Sequence, residues 1–187
     1  MVVKLIVRSL AEKQIRKLVN EAKESVYVGY VEGPKHQDSH LTNAEIAYLN
    51  TMGVRPLKAS RDIKEIQENL GNYSMALKAY IRDKGDPMWR IPPRPFLEPG
   101  VNYGRRQIVK YLLEYVDKFL DGNEVESVNS KERVGQVAIN SIRKFIRDYP
   151  ANGLAPNAPS TIKEKGEDHP LVGKTGELMR SLTYVIR

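Results

Sequence analysis

Between positions 91 and 96 the chain reads Ile91-Pro92-Pro93-Arg94-Pro95-Phe96. Proline carries no amide proton and biases the residue before it toward an extended backbone. Neither a helix nor a central strand can pass through this segment. It predicts a rigid extended crossing, and the regular structure must lie on either side of it.

After the crossing the apolar residues recur at helical spacing. Val101, Ile108, Val109, Leu112, Leu113, Val116, Phe119 and Leu120 fall on one arc at about 100° per residue. Arg105 shares that arc, so the first turn is expected to project beyond the core. Asp121-Gly122-Asn123 is a stop signal. A second long helix is predicted from about Ser130 to Tyr149, with Val134, Val137, Ala138, Ile142, Phe145, Ile146 and Tyr149 along one side and Pro150 at its end. Residues 151–170, rich in proline and polar residues, predict an extended irregular loop. A short turn over Gly176–Arg180 and a strand over Leu182–Ile186 close the chain.

Before the crossing, Met1–Val7 is rich in β-branched residues and predicts a strand. Ser9 and Glu12 form a capping box, followed by Ile15, Leu18, Val19 and Ala22 on one buried helix face. Val26–Val31 predicts a second strand, broken by Gly33-Pro34. Residues 33–41 predict a loop. Thr42 and Glu45 form another capping box, opening a helix with Ile46, Leu49 and Met52 on its apolar side and Gly53 at its end. Residues 55–88 predict an inserted helical pair. Ile63, Ile66 and Leu70 are spaced for the first helix, closed by Gly71. Ser74 is positioned to cap the second, with Leu77 and Ile81 inward and Gly85-Asp86-Pro87 as its stop. The expected fold is α+β, a single domain over residues 1–187. A small, mostly antiparallel sheet from 1–7, 26–31 and 182–186 packs against two long helices, with the helical insertion at 55–88.

Composition narrows the function classes. The chain has 187 residues and no cysteine. That length buries a core without a disulfide or metal staple, and the missing thiols exclude a disulfide framework and a Cys-ligated zinc site. Lys and Arg number 30 against 23 Asp and Glu, for a net charge of +7. The excess is spread, with no basic tail and no run of five like charges. It fits nucleic acid, an acidic partner or an ordinary basic surface. No segment has the roughly 18 consecutive apolar residues of a membrane span, and Met1–Val7 has no small-residue cleavage site after it. A chain made in the cytoplasm is expected, with no membrane partner.

The candidate chemistry is sparse. His36 and His40 enclose Asp38 and are four apart, as for two metal ligands on a helix, but they follow Gly33-Pro34 in a polar stretch without an evident third ligand. A solvated loop is expected there. Glu124 and Glu126 lie beside a helix stop with no apolar neighbours to raise a pKa. Gly173-Lys174-Thr175-Gly176 contains Gly-Lys-Thr, but His169 stands where a phosphate-binding loop needs its first glycine. Trp89 and Phe96 flank the proline run and suit either a recognition platform or ordinary packing. No catalytic residue, cofactor or metal ligand is assigned. The strongest charge pattern is on the last long helix. Arg133, Arg143, Lys144 and Arg147 share an arc of roughly 100° opposite the apolar side. Such a stripe suits a phosphate backbone or a solvated face, and in a ring it would repeat around a channel.

Three stretches together resemble a known family. They are Asn43 through Gly53 (Asn-Ala-Glu-Ile-Ala-Tyr-Leu-Asn-Thr-Met-Gly), Ile91 through Leu97, and Leu171 through Arg187 with Lys174-Thr175-Gly176-Glu177-Leu178 and Ser181-Leu182-Thr183-Tyr184. Their order and spacing resemble the neck or tail-completion proteins of tailed bacteriophages, the virion-morphogenesis or head–tail connector group. There a helix of the form I-A-x-x-N-E-F-G precedes I-P-A-R-P-F, two long helices, a P-L-x-x-T-G-x-L loop and a closing strand. Here Thr51-Met52 stands where Glu-Phe is usual and Pro93 where alanine is common, and residues 55–88 are extra. The resemblance implies a non-enzymatic structural virion protein, made in the host cytoplasm. It implies a homo-oligomeric ring, a hexamer or dodecamer, around the DNA path at the head–tail junction. A portal, adaptor or head-completion protein would lie on one side and a tail protein on the other. It puts Trp89, Ile91, Arg94, Pro95, Phe96, Thr175, Gly176 and Leu178 in motif or interface loops, and lets the 151–170 loop serve as an arm against a neighbour. The basic stripe, Arg133 to Arg147, would face the channel or an adjoining subunit, with possible non-specific DNA contact. Two other classes stay open: a free DNA-binding protein using the basic helix, and a small nuclease using His36, Asp38 and His40.

Overall fold

The computed structural model describes Lys13, Ile15 and Arg16 together with residues 25–31, 33, 35–36, 39–84, 89–173 and 175–187. The expected strand over Met1–Val7 lies outside the described residues, as does most of the helix expected after Ser9. Among the described residues the fold is mostly helical, with one two-stranded antiparallel sheet. In chain order the elements are β1 (Val26–Gly29), α1 (Asn43–Met52), α2 (Leu57–Leu70), α3 (Tyr73–Lys84), α4 (Leu97–Tyr103), α5 (Arg105–Leu120), α6 (Glu124–Arg147), α7 (Pro159–Lys165), α8 (Glu177–Arg180) and β2 (Thr183–Ile186). The sheet pairs Val26 with Ile186 and Gly29 with Thr183.

Local chemistry sets several boundaries. The Thr42 hydroxyl accepts from the Glu45 amide at 3.2 Å while the Glu45 carboxylate accepts from the Thr42 amide at 2.8 Å, completing the capping box. Gly71 ends α2 in the left-handed conformation, where a side chain would be strained. The second helix of the pair differs from expectation at its start. Asn72, not Ser74, is its cap, since the Asn72 side chain accepts from the Met75 amide at 3.2 Å. The Gly85–Asp86–Pro87 stop lies outside the described residues.

The two long helices are also re-divided. The helix expected from Val101 to Leu120 is two helices, α4 and α5, separated at Gly104. Apolar periodicity does not register a one-residue change of direction, but packing does. A Cβ at Gly104 would strike the Ser141 side chain, so the break falls where the chain lies against α6. The last helix begins at Glu124 rather than Ser130, because the Asn123 side chain accepts from the Glu126 amide. The same Asp-Gly-Asn that stops one helix caps the next.

α6 is the axis of the main core. Ile139, Ile142 and Ile146 pack with Ala47 of α1, Phe96 of the crossing, Leu178 and Met179 of α8, and Leu182. Gly100 lets α4 approach until a Cβ there would lie 2.7 Å from the Ile142 Cα. Gly135 does the same under the Tyr184 ring. A second, separate cluster joins Ala59 and Ile63 of α2 to Ala76 and Tyr80 of α3.

The apolar arcs were broader than the surfaces that cover them. Ile15, Met52, Leu70 and Ile81 are exposed, as are Val109, Leu112, Leu113 and Leu120 on α5. Phe119 is buried as expected, and Tyr115, which the arc did not include, is buried beside it, since a tyrosine ring buries its carbon face wherever its hydroxyl can be accommodated. Residues 151–170 are not a free arm: α7 lies within them, Leu154 is buried, and the segment is tied to the crossing.

Candidate functional site

The basic face of α6 does not stay a uniform stripe. Arg133 meets the Glu114 carboxylate of α5 at 3.2 Å and lies over the Tyr111 ring. Lys144 places its ammonium 5.5 Å from the centre of the Tyr103 ring. Arg143 turns toward its own chain: its Nε donates to the Met179 carbonyl at 2.9 Å and its Nη2 to the Arg180 carbonyl at 3.4 Å. Those carbonyls end α8, where a cation satisfies acceptors that the helix itself cannot. Arg147 is exposed, one turn further along the same face.

Opposite this face, Gly176 takes a left-handed conformation at the start of α8. The turn brings the Arg180 Nη2 to the Thr175 carbonyl. Glu177 points elsewhere, with Oε1 accepting from Asn43 Nδ2 at 3.0 Å and Oε2 lying 3.4 Å from His36 Nε2. The result is an open cavity of about 340 Å³ lined by Arg143, Arg147, Thr175, Gly176, Met179 and Arg180. Among the described residues three guanidinium groups and no carboxylate border it. The Thr175 hydroxyl is buried without a hydrogen-bond partner among the described residues. A cavity of this make-up suits an oxyanion, for which guanidinium offers paired donors.

The residues expected in interface loops divide into two kinds. Phe96 is fully buried, Arg94 is 6% exposed and Leu178 5% exposed, so these three hold this chain's own fold and offer no surface to a neighbour. Ile91 is half-buried and pairs with Val54 across a bridge. Pro95 is exposed. Trp89 is partly exposed with the Arg55 guanidinium 3.9 Å above its ring. Thr175 and Gly176 line the basic cavity.

Arg94 anchors a polar knot that the sequence did not disclose. Its Nε donates to the Ala155 carbonyl at 2.8 Å and its Nη2 to the Pro156 carbonyl at 2.6 Å. Burial lowers its pKa. Nearby, Asp168 accepts from the Asn157 amide at 2.9 Å and from the Tyr149 hydroxyl at 2.8 Å. The Asn157 amide bond, then the Tyr149 bond, hold the Asp168 carboxyl below its ordinary value, and the Tyr149 phenol is pushed up by the same contact. Lys165 donates to the His169 and Val172 carbonyls, and its burial lowers its pKa. Apart from the Asn157 side-chain Nδ2, which is buried without a hydrogen-bond partner among the described residues, these groups bond within the chain, so the knot acts as a fastening for residues 151–172.

Among the described residues the histidine pair is not gathered into a metal site. His36 is half-buried against Glu177, His40 is exposed, and Asp38 lies outside the described residues. Among the described residues no three His, Asp or Glu side chains are grouped to hold a metal ion, and no helix is long and apolar enough to cross a membrane. The sequence carries no signal that joins Arg180 to the stripe, because it lies on a different element and no periodicity links it to Arg143. No protein-family model, curated protein or solved structure matches the chain.

Proposed function

We propose that the chain is a non-enzymatic structural protein of a tailed-phage virion, a neck or tail-completion component. It assembles as a homo-oligomeric ring, a hexamer or dodecamer, around the DNA path at the head–tail junction. A portal, adaptor or head-completion protein lies on one side and a tail protein on the other. The two-stranded sheet and the two long helices form the scaffold of each subunit, and residues 55–88 are an insertion into it.

One observation carries the proposal. The three separated stretches that resemble the family pack on one another. Ala47, Phe96, Leu178 and Leu182 share one core. The Arg94 amide donates to the Asn50 carbonyl at 2.6 Å, and Asn43 bonds Glu177 across most of the chain. Residues 57–84 contribute nothing to that core and have their own. A motif order arising by chance has no reason to converge in space.

Electron microscopy of purified particles assembled with this chain is the test. A ring of density at the head–tail junction that accepts α4, α5 and α6 supports the proposal, and absence of the chain from the particles sinks it. The exposed cations Lys144 and Arg147 favour a second possibility, a free DNA-binding protein that uses this helix face. Salt-sensitive DNA binding by a protein that remains monomeric at high concentration would select it.

A further inference from the structure

We infer that the cavity between the end of α6 and α8 is a binding pocket for a single phosphate group of a nucleic-acid backbone, held by Arg143, Arg147 and Arg180. The inference refines the DNA contact in the proposed function, where the neck position supplies DNA as the neighbour. The pocket itself is argued from geometry alone.

Three features point to a built site rather than a chance grouping of charge. First, two of the three guanidiniums are positioned by the backbone. Arg143 is held by the Met179 and Arg180 carbonyls, and Arg180 by the Thr175 carbonyl. Each spends only part of its five N–H donors on these contacts, so the rest remain for a ligand without ordering a free side chain. Second, the acid that belongs to α8 is removed from the cavity. Glu177 faces His36 and Asn43, and among the described residues no carboxylate lines the space. Three cations thus face one cavity without a lining acid among the described residues, an arrangement whose mutual repulsion an anion relieves. Third, Thr175, a lining residue, has a buried hydroxyl without a partner among the described residues, a donor type that phosphate oxygens accept.

The surroundings favour a nucleic-acid phosphate over an acidic protein segment. Along α6 the exposed residues leading to the cavity are Gln136, Asn140, Lys144 and Arg147. Neutral amides and cations at helical spacing suit a sugar–phosphate chain, which needs both charge and hydrogen bonds. Among the described residues Met179 is the one large apolar side chain in the lining, a small anchor for a peptide, whose recognition ordinarily rests on buried aromatic or aliphatic groups.

The experiment uses the purified full chain, a fluorescent 20-base-pair duplex and inorganic phosphate as a separate probe. Arg147→Ser is the main variant, since no hydrogen bond or ion pair engages Arg147 among the described residues. Arg180→Gln is the second. Arg106→Gln, on α5 away from the cavity, is the charge-matched control. For Arg147→Ser, duplex affinity at low salt should fall about three- to tenfold, and the slope of log affinity against log salt should shrink by about one. Arg106→Gln should keep the wild-type slope. Phosphate added to isotope-labelled protein should shift the amide signals of Thr175, Gly176 and Met179 in the wild type but not in Arg147→Ser. Equal slopes in Arg147→Ser and wild type would overturn the pocket. Phosphate shifts without any duplex binding would overturn the nucleic-acid assignment and leave a free anion as the ligand. Neither result depends on ring formation or on particles, so a failed virion assignment and a failed pocket are read from different experiments.

Discussion

Asn43 Nδ2 donates to Glu177 Oε1 at 3.0 Å, joining the first turn of α1 to the first residue of α8. His36 approaches the other oxygen of the same carboxylate at 3.4 Å. One side chain thus fixes two segments that are distant in sequence and turns its charge away from the arginine cavity. Glu177→Ala should lower stability by about 1–2 kcal/mol, the usual effect of leaving hydrogen-bond partners unmet. Urea unfolding followed by circular dichroism measures it. A midpoint equal to wild type would show that the contact contributes nothing to the fold.

Arg94 is the fastening of residues 151–156. Arg94→Ala removes both donors and leaves the Ala155 and Pro156 carbonyls unmet, at about 3 kcal/mol. Arg94→Lys keeps the charge but not the paired geometry and should recover only part of this. Limited proteolysis offers an independent readout: cleavage between residues 150 and 158 should appear in Arg94→Ala under conditions where the wild type stays intact.

Gly100 tests the close crossing of α4 over α6. Gly→Ala inside a helix ordinarily stabilises by up to about 1 kcal/mol. Here the added methyl would meet the Ile142 backbone at 2.7 Å, and backbone cannot rotate aside. Gly100→Ala should therefore destabilise, by about 1–3 kcal/mol. A rise in the thermal midpoint would contradict the crossing geometry.

Asp168 sets an acid-side dependence. Its folded pKa lies below the unfolded value of about 3.9, chiefly through the Asn157 amide. The folded state therefore releases this proton more readily than the unfolded chain. The contribution is present above about pH 4 and lost as pH falls through the folded value. Thermal midpoints measured from pH 6 to pH 2 should decline less steeply for Asp168→Asn than for wild type, with the variant already lower at pH 6. Parallel curves would remove Asp168 from the account of acid unfolding.

Residues 57–88 should be dispensable for the main core. Val54 and Ile91 exchange backbone hydrogen bonds at 2.8 and 3.0 Å, so the chain leaves and returns at one place. Replacing 57–88 with a short Gly-Asn turn should leave the stability of the remaining core within about 1 kcal/mol, as expected for independent parts. Loss of cooperative unfolding would show that α2 and α3 support the core after all.

The sequence disclosed elements better than surfaces. The Thr42–Glu45 box and Gly71 were legible because each acts over three or four residues. The bend at Gly104 was not, because its cause is Ser141 on another helix. The inward line of α5 was legible at Phe119 but missed Tyr115, whose hydroxyl suits an exposed site while its ring packs. The candidate site was half legible. Helical geometry brought Arg143 and Arg147 to one face, yet it could not show that Arg143 is spent partly on carbonyls, or that Arg180 arrives from α8. Charge periodicity records what one helix presents; a cavity needs two elements.

The bridge between Val54 and Ile91 also offers a practical doorway. A guest domain with neighbouring termini, such as a fluorescent protein, would fit where α2 and α3 now sit. Its brightness per particle would test the proposed ring directly, separating six copies from twelve without a reconstruction.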